Sequence, residues 1–234
     1  MTKKLKKRKN KFNILTKERH FTDEIKTIIC NLHPVVSANE FCHFSEHELF
    51  KLKRAFGYVN NAVTCRLTSK LAEWISNRSE FNEYKDKIIE LALSHPNASG
   101  YDIKLEDPNI LAEIKGNVPV NDGDKFGAAQ KKGLKEDICC LLGITQGEKK
   151  EKELKIGKDN FKKYFKFLGL PNSHVVQKAM DELINAINKN QPPEEKIIFK
   201  KYTPENLNAD ELETGNRVHI VFLSVDNQEA ESSQ

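Results

Sequence analysis

Tyr101-Asp102-Ile103, followed by Leu111-Ala112-Glu113-Ile114-Lys115-Gly116, reads as two short strands, the second carrying Glu-x-Lys. Strand side chains alternate between faces with a period of two, so Glu113 and Lys115 share one face while Ala112 and Ile114 share the other. If the two strands pair as a hairpin, Asp102 stands near Glu113. Two carboxylates and an ammonium then meet at one point. Paired carboxylates suit a hard divalent cation such as Mg²⁺. The competing reading is an edge strand whose charged face is merely solvated. Against it, the triplet lies in an apolar run from Ile110 to Gly116, where buried charge needs a reason.

The pattern Asp-(x)10-Glu-x-Lys, with an apolar residue inside the triplet, resembles the PD-(D/E)xK nuclease superfamily, which includes many restriction endonucleases. The match covers residues 100–143 of the 234. Tyr101 stands where the family often has Pro before the Asp. The resemblance implies an α/β (α+β) fold: a restriction-endonuclease-like mixed central sheet flanked by helices, with a helical N-terminal part. It implies catalytic roles for Asp102, Glu113 and Lys115. It also implies a Mg²⁺ site, open to Mn²⁺, built from Asp102, Glu113 and the carbonyl of Ile114. The metal would polarise the phosphate and activate water, and Lys115 would handle that water or the growing negative charge.

The residues after the triplet extend this reading. Asn117-Val118-Pro119-Val120-Asn121-Asp122-Gly123-Asp124 has turn chemistry, and Asp122 and Asp124 read as turn formers. A helix follows from about Lys125, with Leu134, Ile138, Leu141 and Leu142 at helical spacing. In the superfamily such a helix often supplies a Gln or Lys near the scissile phosphate. Gln130 is the candidate here, with Lys131, Lys132 and Lys135 as phosphate contacts; a plain exposed basic helix start is the alternative.

Outward from this centre the chain divides into four stretches. Residues 1–18 are a basic arm, 19–95 a helical region, 96–226 the nuclease core and 227–234 a polar tail. In the helical region Phe21, Ile25, Ile28 and Ile29 mark one helix. Leu49, Leu52, Phe56, Val59, Val63, Leu67 and Leu71, then Trp74 or Ile75, mark a second, with Ser45 and Glu48 as its capping box. Tyr84, Ile88, Ile89, Leu91 and Ala92 mark a third. Glu73 is the one acid here that could join the site. Beyond the charged connector at 145–158, helices are expected over Phe161 to Leu168 and Val175 to Ile187, the latter capped by Asn172 or Ser173. Ile197 to Phe199 reads as a short strand. Arg217 to Val225 is a nearly continuous apolar strand, expected deep in the sheet and beside the Glu-x-Lys strand.

Composition sets the outer bounds. Net charge is +4, yet residues 3–11 hold seven Lys or Arg and no acid, so the rest of the chain is near −3. The arm reads as nonspecific attraction to nucleic acid or as a solubilising terminus. No apolar run reaches the roughly 20 residues of a membrane span, and no signal-peptide core follows the basic run. The expectation is a cytoplasmic protein with no membrane partner. Five cysteines (Cys30, Cys42, Cys65, Cys139, Cys140) in irregular spacing read as reduced thiols. Cys30, His33, Cys42, His43 and His47 match zinc ligands by type but no common finger by spacing, and read as free core cysteines with surface histidines.

The resemblance implies a metal-dependent deoxyribonuclease, first of all a type II restriction endonuclease. Such an enzyme would act on DNA as a homodimer, with two sites related by a twofold axis. The alternatives are a nuclease effector of a bacterial anti-phage defence system, acting with a partner protein, and a noncatalytic nucleic-acid-binding adaptor.

Overall fold

The computed structural model describes residues 46–94, 101–119, 125–144, 158–189, 191–204 and 211–224. The basic arm, the helix expected at 21–29, the Ser45 cap, most of the 117–124 turn with Asp122 and Asp124, the 145–157 connector and the tail lie outside them. So do Cys30, His33, Cys42 and His43. Among the described residues the elements are α1 (Glu46–Ser76), α2 (Lys85–Leu93), β1 (Ile103–Leu105), β2 (Ile110–Ile114), α3 (Ala128–Leu141), β3 (Phe165–Pro171), α4 (His174–Asn188), β4 (Ile198–Tyr202) and β5 (Arg217–Leu223). Short 3₁₀ turns occupy Ser79–Tyr84, Lys158–Lys163 and Pro193–Glu195.

The five strands form one mixed sheet in the order β1-β2-β3-β5-β4, antiparallel only between β1 and β2. Helices cover both faces, so the chain is α/β with a mixed sheet between helical layers. On one face α1 and α2 pack Leu67, Leu71, Trp74, Ile75 and Ile88 against Ile103, Ala112, Ile114, Phe167 and Tyr202. On the other, α3 and α4 pack Leu134, Ile138, Leu141, Val176, Met180 and Leu183 against Leu111, Leu168, Leu170, Ile220 and Phe222. Alternation along each strand divides the two cores. Trp74 meets the Phe167 ring edge-on at 5.8 Å and Tyr202 at 5.0 Å, and such pairs add about 1 kcal/mol each beyond their buried area.

Two sequence expectations are corrected. Phe161 to Leu168 is not a helix: a 3₁₀ turn ends at Lys163 and β3 begins at Phe165. Phe161, Tyr164, Phe165 and Leu168 mimic helical spacing, but a strand buried on both faces is also a continuous apolar run. The strand beside Glu-x-Lys is therefore β3, pairing Glu113 with Leu168, and β5 lies one place further out, between β3 and β4. β5 is buried as expected. The second N-terminal helix runs 31 residues, but only its C-terminal half enters the core. Phe56 and Val59, which fit the periodicity, are exposed, as is Phe50.

Three local devices hold the frame around β2. The β1–β2 turn contains a cis Asp107-Pro108 bond and Asn109 at φ 61°, a conformation Asn tolerates well. At the end of α3, Gly143 N–H donates to the Cys140 carbonyl at 3.0 Å and Ile144 N–H to that of Cys139 at 2.8 Å. This is the Schellman closure, with Gly143 at the required positive φ of 69°. On β3, buried Lys166 donates from Nζ to the carbonyls of Tyr164 (2.8 Å) and Gly215 (2.7 Å). Burial pulls that amine down to about 8. Ser173, one of the two caps foreseen, accepts from Val176 N–H at the start of α4.

Candidate active site at the end of the hairpin

The β1–β2 register builds the site. Ile103 stands opposite Ala112, so one step further along Asp102 is opposite Glu113. Glu113 and Asp102 point to the α3 side with Leu111, while Ala112 and Ile114 point to the α1 side. Asp102 accepts from the Ile114 N–H at 2.7 Å through Oδ2, which fixes the carboxylate across the hairpin. Lys115 follows the last residue of β2, and its own N–H donates to the Gly169 carbonyl of β3 at 3.0 Å. The structure thus brings Asp102, Glu113 and Lys115 together.

It adds Asp137, which sequence reasoning passed over. Lys115 Nζ lies 3.3 Å from Asp137 Oδ2 on α3 and 3.7 Å from Glu113 Oε2. One signal was available: Asp137 is seven residues after Gln130, about 20° away around a helix, so the two share a face. Behind the site, Gly116 passes close under α1, where an added Cβ would lie 3.3 Å from Val63. On the α3 side, the Tyr101 hydroxyl donates to the Cys140 carbonyl at 2.7 Å and ties the start of the hairpin to α3.

The electrostatics follow from burial. Glu113 is pushed up to about 8, first by desolvation, then by repulsion from Asp102. Lys115 and its distance of 3.7 Å do not offset these effects. Desolvation also raises Asp102, against the Ile114 N–H that favours its anion. Burial works to lower Lys115, but Asp137 and then Glu113 outweigh it, and the ammonium is held above its ordinary value. Three carboxylates against one ammonium leave an excess of negative charge that a divalent cation would cancel.

Among the described residues no three His, Cys, Asp or Glu side chains converge as a ready metal cage. Mg²⁺ rarely uses one; it commonly takes one or two carboxylates and keeps waters or substrate phosphates as its other ligands. A facing pair of mutually repelling carboxylates, Glu113 buried and Asp102 half-buried, fits that requirement.

The other candidates fall elsewhere. Gln130 caps α3: its Oε1 accepts from Gly127 N–H (3.0 Å) and its Nε2 donates to the Val118 carbonyl (2.8 Å). It lies on the site's side of the helix, with its amide engaged in holding the loop. Lys131, Lys132 and Lys135 lie about 120–160° around α3 from Asp137 and line a separate cavity against α4. Glu73 is exposed on α1, across the sheet from Glu113, and pairs with Lys70 at 3.6 Å. Cys65, Cys139 and Cys140 are not joined in disulfides. No helix among the described residues is long and apolar enough to cross a membrane.

Comparison of the chain with protein-family models, with curated proteins and with solved structures finds no match in any of the three.

Proposed function

We propose that this chain is a metal-dependent nuclease that hydrolyses phosphodiester bonds, with Asp102, Glu113 and Lys115 as its catalytic residues. The observation that carries the reading is Asp102 opposite Glu113 in a buried hairpin, with the Lys115 ammonium 3.7 Å from Glu113. Ion pairing alone does not account for it, since carboxylates facing each other at low solvent access destabilise a fold unless something neutralises them.

Asp102 and Glu113 would hold Mg²⁺ or Mn²⁺, with the Ile114 carbonyl completing the protein's share. Bound there, the cation supplies Lewis-acid polarisation of the phosphate and acidifies water. Lys115 reaches the same point with a fixed positive charge, suited to orienting the attacking water and to stabilising charge that develops on the phosphate. Asp137 positions Lys115 from α3. Gln130 keeps the loop after β2 seated on that helix.

The restriction-endonuclease-like description of the sheet belongs to the same proposal. So do DNA as substrate, a type II restriction activity and a homodimer that cuts both strands; these finer points rest on the Asp-(x)10-Glu-x-Lys resemblance.

The test is cleavage of plasmid and linear DNA by wild type and Lys115→Ala, each with Mg²⁺ and with EDTA. Discrete fragments, lost with EDTA and in the variant, are expected. Cleavage that survives EDTA or Lys115→Ala would overturn the assignment. So would DNA binding that is unchanged by Glu113→Ala with no cleavage under any condition.

A further inference from the structure

Packed between α3 and α4, on the side of α3 turned away from Asp137, is a cavity of about 470 Å³. Its lining sorts into two kinds of surface. Lys131, Lys132 and Lys135 of α3 form a cationic rim opposed by a single acid among the described lining residues, Glu136. Ile187 of α4, backed by buried Leu183 and flanked by Cys139 and Cys140 of α3, forms an apolar floor, with Ile144 and Ala186 at its exposed edge. Among the described residues none of the three lysines takes part in an ion pair.

We infer that this cavity binds a nucleotide, either free or as the terminal unit of a nucleic-acid strand, with its phosphate on the lysine rim and its base on the apolar floor. The charge selects the phosphate. Three ammonium groups within two turns of helix suit a multiply charged oxyanion, which Lys binds as a point charge, better than the single charge of a carboxylate. The floor selects the rest. Inorganic phosphate would leave exposed Ile144 and half-buried Ile187 uncovered, whereas a flat base removes apolar surface from water at about 25 cal/mol per Å². The volume falls within the ~300–1,000 Å³ of small-molecule sites, which are mostly apolar with a few placed polar groups.

The position separates this cavity from the catalytic candidates. At about 100° per residue the three lysines point away from the Asp137 side of α3, so they do not face the phosphate that the proposed catalytic site would take beside Lys115. The inference stands or falls apart from the cleavage reading, since it requires no hydrolysis.

The experiment is a titration of the full chain, followed by ¹H–¹⁵N NMR shifts and by calorimetry. The probes are inorganic phosphate, AMP, a 5′-phosphorylated dinucleotide and decanoate. The variants are the double Lys131→Ala/Lys135→Ala and Ala186→Phe. Both alter exposed or half-buried positions, and circular dichroism checks that each folds. AMP or the dinucleotide is expected to bind at least tenfold more tightly than inorganic phosphate. The lysine double variant should weaken that binding about tenfold. Ala186→Phe should weaken nucleotide binding and leave phosphate binding unchanged. A preference for AMP identifies a free nucleotide as the source, and a preference for the dinucleotide identifies a strand end. Equal binding of phosphate and nucleotide, tighter binding of decanoate, indifference to Ala186→Phe, or no binding of either nucleotide probe would each overturn the inference.

Discussion

Replacing Glu113 by Gln should stabilise the metal-free protein at alkaline pH, and the gain should grow as pH rises. The carboxyl titrates near its ordinary value of 4.5 in the unfolded chain and near 8 in the fold, driven up first by burial and then by Asp102. Between those values the folded state holds a proton that the unfolded state has released. Folding stability therefore falls as pH rises through this window. At about 1.4 kcal/mol per pH unit the loss approaches roughly 5 kcal/mol, shared with Asp102 because the two carboxylates titrate as a pair. Gln keeps the shape and the polarity without the proton. The assay is urea unfolding of wild type and Glu113→Gln, without metal, at half-unit steps from pH 5 to 9. The difference between the two curves reports the Glu113–Asp102 pair and cancels titrating groups outside it. It should favour the variant by several kcal/mol at pH 8.5 and shrink towards pH 5. Mg²⁺ should narrow the difference at high pH by binding the ionised pair in wild type alone. Two parallel stability profiles would refute the claim that Glu113 is buried against Asp102.

Other outcomes follow from single contacts. Asp137→Asn removes the charge nearest Lys115 while keeping its shape, and should lower cleavage on the order of tenfold with little change in melting temperature, read by initial rates and calorimetry. Gly143→Ala should cost about 2 kcal/mol or more in urea unfolding, because φ is 69° and the new Cβ would lie 2.5 Å from the Phe161 ring. His219 is buried beneath Phe167 and held down to about 4, first by desolvation. Its Nε2 faces the Glu213 carbonyl at 2.7 Å and so carries the proton, leaving Nδ1 to accept from Tyr202 at 3.0 Å. A depressed base loses stability as pH falls, so Glu113→Gln protein should weaken by roughly 3 kcal/mol from pH 6.5 to 4 in chemical denaturation.

How much of this was legible in the chain depends on the range of the interactions. The hairpin was readable because period-two alternation puts Glu113 and Lys115 on one face whatever lies beyond it. Helix α4 was readable because Val176, Ala179, Met180 and Leu183 keep an unbroken apolar stripe. β3 was not, since Phe165-Lys166-Phe167-Leu168-Gly169-Leu170 is covered on both faces and offers no alternation to count. Lys166 in its middle argued against a buried strand, and only the carbonyls of Tyr164 and Gly215 make room for it. The order β3-β5-β4 could not be read either, because it depends on which edge α4 returns the chain to. Asp137 was hidden for a related reason: it is one acid on a helix rich in charge, and its role comes from Lys115, 22 residues away. The lysines of α3 were legible as a basic group but not as a direction, which needed the packing of α3 on the sheet.

The Lys166 clamp gives the molecule an internal clock for global opening. The amine is sealed against reagents as long as β3 lies in the sheet, while most other lysines among the described residues are exposed and open to acylation at once. Mass-spectrometric labelling at Lys166 should therefore lag behind that of exposed Lys132 or Lys189, at a rate set by how often the central strand comes free. That lag would report the lifetime of the folded state in a lysate, from one peptide, without purifying the protein.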